Sequence, residues 1–252
     1  MTSSSDDNKG AVVGTIAAVT FDITGTLIHS PRLREIYTEV LARHGIVTEP
    51  EQVEAAFVHV WREQQCVATP QRDRFDSARD GGRAFWRALV ARLCELLDAT
   101  APPFAAAELY DRFAHAEAWD IYPDVDAVLT RLTTAGLRLG VISNWDHRLP
   151  SLLDELGLAN RFDTVVFSGA IGVEKPHPKI FTTALENLGL PAGRVLHIGD
   201  QQLEDLEGAQ AVGMRARRLV RDHDHALPRL FDRLIDTEGP VLPWSQPEET
   251  RP

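Results

Sequence analysis

The 252-residue chain is 44% hydrophobic, enough to fill a sizeable core, and reads as one large globular domain or as one domain with a smaller one inserted. Its 26 Lys and Arg face 37 Asp and Glu, a formal net charge of -11, so the surface repels nucleic acid and anionic lipid headgroups. The two cysteines, Cys66 and Cys94, have neither a CxxC partner nor a histidine at metal-ligand spacing, which argues against a disulfide framework and fits a reducing cytoplasm.

Residues 1–10, MTSSSDDNKG, are polar and more acidic than basic, and read as a disordered tail and not as the basic leader of a signal peptide. The apolar run AVVGTIAAVTF that follows falls short of the roughly 20 residues a membrane span needs, so it is read as a buried strand that ends in AAVTFDI. No membrane partner is expected.

Residues 31–118 carry four helical patterns, over roughly 33–44, 50–66, 82–98 and 104–118, and no strand pattern. Trp61, Phe85, Trp86, Leu89, Leu93, Tyr110 and Phe113 fall at helical spacing and are read as core of a helical bundle. The charged stretch RDR at 72–74 reads as solvated surface.

From residue 119 the pattern changes to alternating helices and strands. VDAVLTRLTTAGL puts Val125, Val128, Leu129 and Leu132 on one helical face, and LRLGVIS is a strand. LPSLLDELGL is a second helix and FDTVVFSG a third strand. HPKIFTTALENLGL opens with a proline where helices tolerate one and carries Phe181, Ala184, Leu185 and Leu188 on a stripe. RVLHIGD and MRARRLV are the last strands. The stretch RDHDHA at 221–226 reads as surface, and residues 236–252, ending in EGPVLPWSQPEETRP, as a second tail. With AAVTFDI, these segments predict an α/β fold: a doubly wound, mainly parallel, Rossmann-like sheet formed by residues 11–30 and 119–235, interrupted by the helical insertion at 31–118.

In an open parallel sheet, ligands bind outside the carboxyl ends of the strands. Asp22 follows the first strand, Ser143 and Asn144 the second and Asp200 the fourth, while Lys175 in GVEKPHPKI precedes the helix after the third. Singly, each has an ordinary explanation as a cap, a turn residue or a solvated charge. Jointly they aim two carboxylates, a hydroxyl and an ammonium at one sheet edge. Asp22 and Asp200 side by side repel unless a cation sits between them, and Mg²⁺ shared with phosphate oxygens is the usual solution. Ser143, Lys175 and the backbone N–H groups of residues 23–26 then supply donors for a phosphate, the layout that phosphoryl transfer requires.

In FDITGTL, VISN, EKPHP and GDQQLED, in that order over residues 17–220, the chain resembles the haloacid dehalogenase-like hydrolase superfamily, of the type with a helical cap after the first strand. The resemblance implies that Asp22 is a nucleophile forming an aspartyl-phosphate, with Mg²⁺ held by Asp22, the carbonyl of Thr24 and Asp200. Ser143, Asn144 and Lys175 are then the substrate-binding group, Asp205 orients from behind, and Asp22, Thr24, Ser143 and Lys175 make up the catalytic set. Glu204 stands where the family pattern often has Asn, and its role is open.

Thr24 is the main departure, because the phosphatase pattern has there an Asp that protonates the leaving oxygen and then activates water. A threonine hydroxyl is neither acidic nor basic enough for that work near neutral pH. Three readings follow: a slow phosphatase or phosphotransferase acting on a small phosphorylated metabolite with a good leaving group, a non-catalytic phosphate-binding module, or a 2-haloacid dehalogenase, against which no convincing halide-binding Arg is found, although Arg32 and Arg34 follow the first motif closely. An inserted cap implies a small soluble substrate admitted under a lid. His29, His147 and His177 follow the motifs without spaced metal partners and read as neighbours only, while Trp145 and Asp146 are balanced between pocket lining and loop packing. Oligomeric state does not follow from the sequence.

Overall fold

The computed structural model describes residues 15–67, 71–222 and 226–231. The two expected tails, 1–10 and 236–252, lie outside the described residues. Strand β1 (Ala18–Phe21) is buried along its whole length. After a turn the chain makes a two-residue strand, β2 (Ile28–His29), and enters a helical layer of α1 (Leu33–Arg43), α2 (Pro50–Val67), α3 (Ser77–Asp80), α4 (Arg83–Leu96) and α5 (Ala105–Arg112). It returns through β3 (Asp120–Ile121), which pairs antiparallel with β2, so the points of exit and return are clamped side by side. Then follow α6 (Val125–Thr134), β4 (Arg138–Ser143), α7 (Leu149–Glu155), β5 (Thr164–Phe167), α8 (Ser168–Ile171), α9 (Pro178–Leu188), β6 (Val195–Gly199), α10 (Gly208–Ala211) and β7 (Arg215–Arg218). Among the described residues, no helix is long and apolar enough to cross a membrane.

The five long strands form one sheet of order β5-β4-β1-β6-β7, parallel throughout. That is the doubly wound sheet the alternation predicts. Side chains alternate between its two faces, as a period of two demands. Val19, Phe21, Leu139, Val141, Leu196 and Ile198 pack with α6 and α7, while Ala18, Ile142, Val166, Val195 and Ala216 pack with α9. Phe21 sits opposite both Val141 and Ile198, so the carboxyl ends of β1, β4 and β6 are brought together at the strand-order reversal.

The helical layer has its own apolar cluster, including Tyr37, Val40 and Leu41 of α1 and Leu89 and Leu93 of α4. It departs from the four predicted helices at two places. A short α3 precedes α4, and the last pattern stops at Arg112. There Trp119 Nε1 donates to the Phe113 carbonyl (3.2 Å), and Glu155 accepts from His115 and from the Ala116 N–H (each 2.9 Å), partners that a continued helix would not satisfy. The stretch at 221–226 also departs from the solvated reading where it is described. The Arg221 side chain is buried, donates to both oxygens of Asp124 (2.7 and 2.8 Å) and to the Thr26 carbonyl, and so ties the loop after β1 to the start of α6.

Phe181 is fully buried in the α9 stripe, edge-on to His197 with ring centroids 5.6 Å apart. Phe181→Ala is expected to cost about 3–5 kcal/mol in urea unfolding, whereas Val47→Ala, at a site 91% exposed, should stay within about 0.5 kcal/mol. Equal effects would show that α9 is not part of the cooperative core.

Candidate active site

Asp22 extends β1 by one residue, its N–H donating to the Ile198 carbonyl (2.8 Å), and this carries its side chain past the sheet edge. Ser143, the last residue of β4, donates from Oγ to Asp22 Oδ1 (3.0 Å). Lys175 reaches the same oxygen with Nζ (2.6 Å) and also donates to Asp205 Oδ1 (2.6 Å) and the Ile142 carbonyl (3.0 Å). Asp205 lies on a π-helical turn, Gln202–Glu207, where its Oδ2 accepts the Gln201 N–H (2.9 Å). Behind it His197 Nε2 is 3.3 Å from Oδ1, and His197 Nδ1 is 3.0 Å from Thr20 Oγ1.

Two glycines permit these approaches. A Cβ on Gly199 would lie 2.2 Å from the Asp205 carboxylate, and one on Gly25, whose φ is +79°, would lie 3.1 Å from Asp200 Oδ2. The chain thus needs no side chain where the backbones after β1 and β6 press against the acids.

Asp22, Asp200 and Asp205 each offer an oxygen, and the three lie within 4.8 Å of one another. Burial pushes the Asp22 carboxyl up to about 7, Lys175 pulling it down while Asp205 and Asp200 push it further up. Burial also raises Asp200, and Asp205 adds to that. For Asp205 burial acts upward too, but Lys175 and His197 outweigh it and hold the carboxyl below the usual range. Burial alone would lower the Lys175 ammonium, yet Asp205 and Asp22 raise it above the usual lysine range. Three acids share one buried ammonium, so the cluster holds an excess of negative charge. An oxygen-only donor set of this kind fits a hard divalent cation.

Every residue singled out at the sheet edge meets here: Asp22, Ser143, Lys175, Asp200 and Asp205 are in one cluster, and Thr24 is exposed beside it on the same cavity. Asn144 also borders the cavity, but its amide holds loops together. Its Oδ1 accepts the Lys175 N–H (2.6 Å), and its Nδ2 donates to the Lys175 carbonyl (3.2 Å) and to Glu204 (3.0 Å). Glu204, whose role the sequence leaves open, is therefore a junction, because its other oxygen accepts from Arg74 (2.9 Å).

Arg74 corrects the reading of residues 72–74 as solvated surface. Its side chain is 8% exposed and reaches from the helical layer to Glu174 (2.5 Å) as well as Glu204. Asp73 beside it is buried, accepting from the Ser77 N–H (2.9 Å) and Ser168 Oγ (3.0 Å). A charge run in the sequence does not reveal that its partners come from loops of the sheet domain.

The aromatic residues read as bundle core have a second face. Leu89 and Leu93 are core, and Trp61, Phe85, Trp86 and Phe113 pack against it, but Trp61, Trp86, Tyr110 and Phe113 also line a cavity of about 400 Å³ between the helical layer and the acidic cluster. Trp145 and Asp146 line it as well. Asp146 accepts from Trp86 Nε1 (2.7 Å) and from Arg148 (2.7 Å), whose guanidinium lies 3.9 Å over the Tyr110 ring. His29 stacks on Tyr122 with centroids 4.3 Å apart, His147 stands edge-on to Phe167, and His177 Nδ1 accepts the Lys179 N–H (3.1 Å) at the start of α9.

A family model described as haloacid dehalogenase-like hydrolase matches residues 16–213. The haloacid dehalogenase-like hydrolase domain-containing protein 3 of Mus musculus is 34% identical over 203 residues, covering 79% of each chain. A phosphoglycolate phosphatase of Yersinia pseudotuberculosis is 30% identical over 200 residues, covering 79% of this chain and 78% of its own. Among solved structures, an L-2-haloacid dehalogenase superposes with a TM-score of 0.64 at 25% identity, covering 83% of this chain and 89% of that one.

Lys175→Met leaves Asp22 and Asp205 buried without their shared cation, and urea unfolding in EDTA at pH 7.5 is expected to show a loss of about 3–5 kcal/mol. In the wild type the lowered Asp205 carboxyl stabilises the fold above its unfolded pKa, and that contribution holds throughout pH 7.5 to 4.5 because it is lost only below the usual carboxylate range. In the variant burial acts unopposed by the ammonium, so protonation favours the folded form. The gap between the two proteins should therefore narrow as pH falls from 7.5 to 4.5. A gap independent of pH would reduce Lys175 to a packing role.

Proposed function

The chain belongs to the haloacid dehalogenase-like hydrolase family, and from that premise we propose that it is a Mg²⁺-dependent phosphatase or phosphotransferase acting on a small phosphorylated metabolite through an aspartyl-phosphate at Asp22. One observation carries the reading: Asp22 Oδ1 is held by Lys175 (2.6 Å) and Ser143 (3.0 Å) beside Asp200 and Asp205. Both of these bonds fall on Oδ1, which leaves Oδ2 to attack phosphorus.

Asp22, the carbonyl of Thr24 and Asp200 would hold Mg²⁺, with Asp205 orienting Lys175; when bound, the ion supplies charge neutralisation for phosphoryl oxygens. Lys175 and Ser143 are the donors for the transferring group, and they are in place before substrate arrives, which is what preorganised stabilisation requires. Attack by Asp22 expels the leaving oxygen, and water then cleaves the acyl phosphate to release phosphate and restore the carboxylate. The helical layer at 31–118 acts as the cap over the domain of 11–30 and 119–235. A cytoplasmic setting accords with the free buried thiol of Cys94.

Thr24 cannot donate the proton that an alkoxide leaving group needs, so turnover is slow for such substrates. Direct halide displacement is the weaker reading, because Arg32 donates to the Glu117 carbonyl (3.1 Å) and Arg34 to Glu35 and Glu54 (each 2.9 Å), so neither is free to cradle a halide.

Hydrolysis of p-nitrophenyl phosphate should require Mg²⁺, be lost in Asp22→Asn, and keep its rate or gain in Thr24→Asp, with gains of roughly 10²–10⁴-fold for alkyl esters in that variant. Absence of turnover in both wild type and Thr24→Asp would leave a phosphate-binding module. Metal-independent halide release from a 2-haloacid would establish the dehalogenase instead.

A further inference from the structure

The cavity over the acidic cluster has walls that do not suit a ligand dominated by hydroxyls. Trp61 stacks between Phe57 and Trp86, with centroids 6.1 and 6.2 Å away, and Trp119 packs against Trp145 at 5.2 Å. All five rings border the cavity. Its charged groups are already engaged with one another: Arg148 with Asp146 (2.7 Å), and Arg74 with Glu174 and Glu204. A ligand rich in hydroxyls or charge would lose water there and find few partners in return.

Trp145 Nε1 and Ser30 Oγ have no hydrogen-bond partner, but both atoms are closed off from any water-sized space, so an occupant does not reach them. Tyr37 borders the cavity, and no hydrogen bond to its hydroxyl is found among the described residues. That hydroxyl is the donor an occupant carrying an acceptor can engage. The cavity therefore calls for a flat apolar body with an acceptor on it.

Thr24 adds an independent requirement. Without a general acid, the oxygen must leave phosphorus as an anion, which alkoxides do poorly and phenolates do well. We infer that the ligand class of this site is a small aryl phosphate monoester whose ring carries a hydrogen-bond acceptor; the inference rests on the phosphatase reading above. In the reaction, Asp22 Oδ2 forms the bond to phosphorus and the phosphorus–aryloxy bond breaks with its electron pair on oxygen. Water then adds to the phosphoryl group, leaving inorganic phosphate and the Asp22 carboxylate, and the phenolate takes its proton from solvent.

Four tryptophans on the cavity wall make intrinsic fluorescence a binding signal. Titrations of the full chain in Mg²⁺ with phenylphosphonate and methylphosphonate, neither of which can be hydrolysed, should show the aryl compound at least about tenfold tighter. A 4-nitro group on the ring should tighten binding further, and Tyr37→Phe should remove roughly 3–10-fold of that gain. In turnover, phenyl phosphate should exceed ribose 5-phosphate and AMP in kcat/KM by at least about tenfold. Equal affinity for the two phosphonates, or a preference for the sugar and nucleotide esters, overturns the inference while leaving Mg²⁺-dependent phosphatase activity standing. An aryl preference in binding with no ester turned over supports the ligand class and removes the phosphatase reading instead. A nitro gain unchanged in Tyr37→Phe overturns the assignment of Tyr37.

Discussion

The structure depends on one buried ammonium. Lys175 Nζ lies 2.6 Å from both Asp22 and Asp205 and is 2% exposed, so a carboxylate just past β1 and one on the turn after β6 are held together at one sheet edge by a single point charge. Desolvating three charges is expensive, and the geometry offsets that cost by giving the ammonium a third partner, the Ile142 carbonyl, and Asp205 a second donor in the Gln201 N–H. The excess negative charge that remains is what makes the site receptive to a cation. A neutral pairing of one acid with one base would be more stable and would bind nothing.

The same economy links the helical layer to the sheet. Arg74 inserts between Glu174 and Glu204, and Glu204 in turn holds Asn144, which accepts the backbone N–H of Lys175. The position of the helices over the site and the position of the central lysine are thus joined through one chain of hydrogen bonds. Burial raises the Glu174 carboxyl against the pull of Arg74, and its Oε1 has no partner, so this contact is less completely satisfied than the Lys175 cluster. A second contact, Asp146 with Arg148 and Trp86, joins the layers on the aromatic side of the cavity. These junctions, together with Asp73 on Ser168 and Glu155 on His115, join the layers through polar contacts around a space that stays free for a ligand.

What the sequence made legible follows from range. Strand and helix periodicity are local, and the five strands, their parallel order of connection and the helices of the sheet domain are read from it directly. The convergence of Asp22, Ser143, Lys175 and Asp200 is also legible, because parallel topology places every strand's carboxyl end at one edge. Arg74 was hidden because a charged residue announces its charge and not its partner, and Glu174 lies far along the chain. That Trp61, Trp86 and Phe113 border a cavity as well as the bundle core is hidden for a related reason: helical spacing separates an apolar face from a polar one, but a face lining a cavity and a face lining a core carry the same residues. His197 reads as one more residue of a buried strand, and only the structure puts its ring against Asp205 and Thr20.

Thr24 then ceases to be an isolated defect. It removes proton transfer from an apparatus whose electrostatic parts, Lys175, Ser143 and the three acids, are all present. In the first step the lost factor of roughly 10²–10⁴ falls on leaving groups that need a proton to depart, while the lost activation of water slows the second step for every substrate alike. A cavity walled by stacked indole and phenyl rings favours a flat apolar leaving group, and the alkoxides of sugars and nucleotides are the ones that need the proton. The residue at the turn and the residues on the wall therefore restrict chemistry in the same direction, one through the stability of the departing anion and the other through the surface it can bury. Under the proposed function, agreement between a local substitution and a distant wall, reached through unrelated physical effects, fits a site adapted to one class of leaving group.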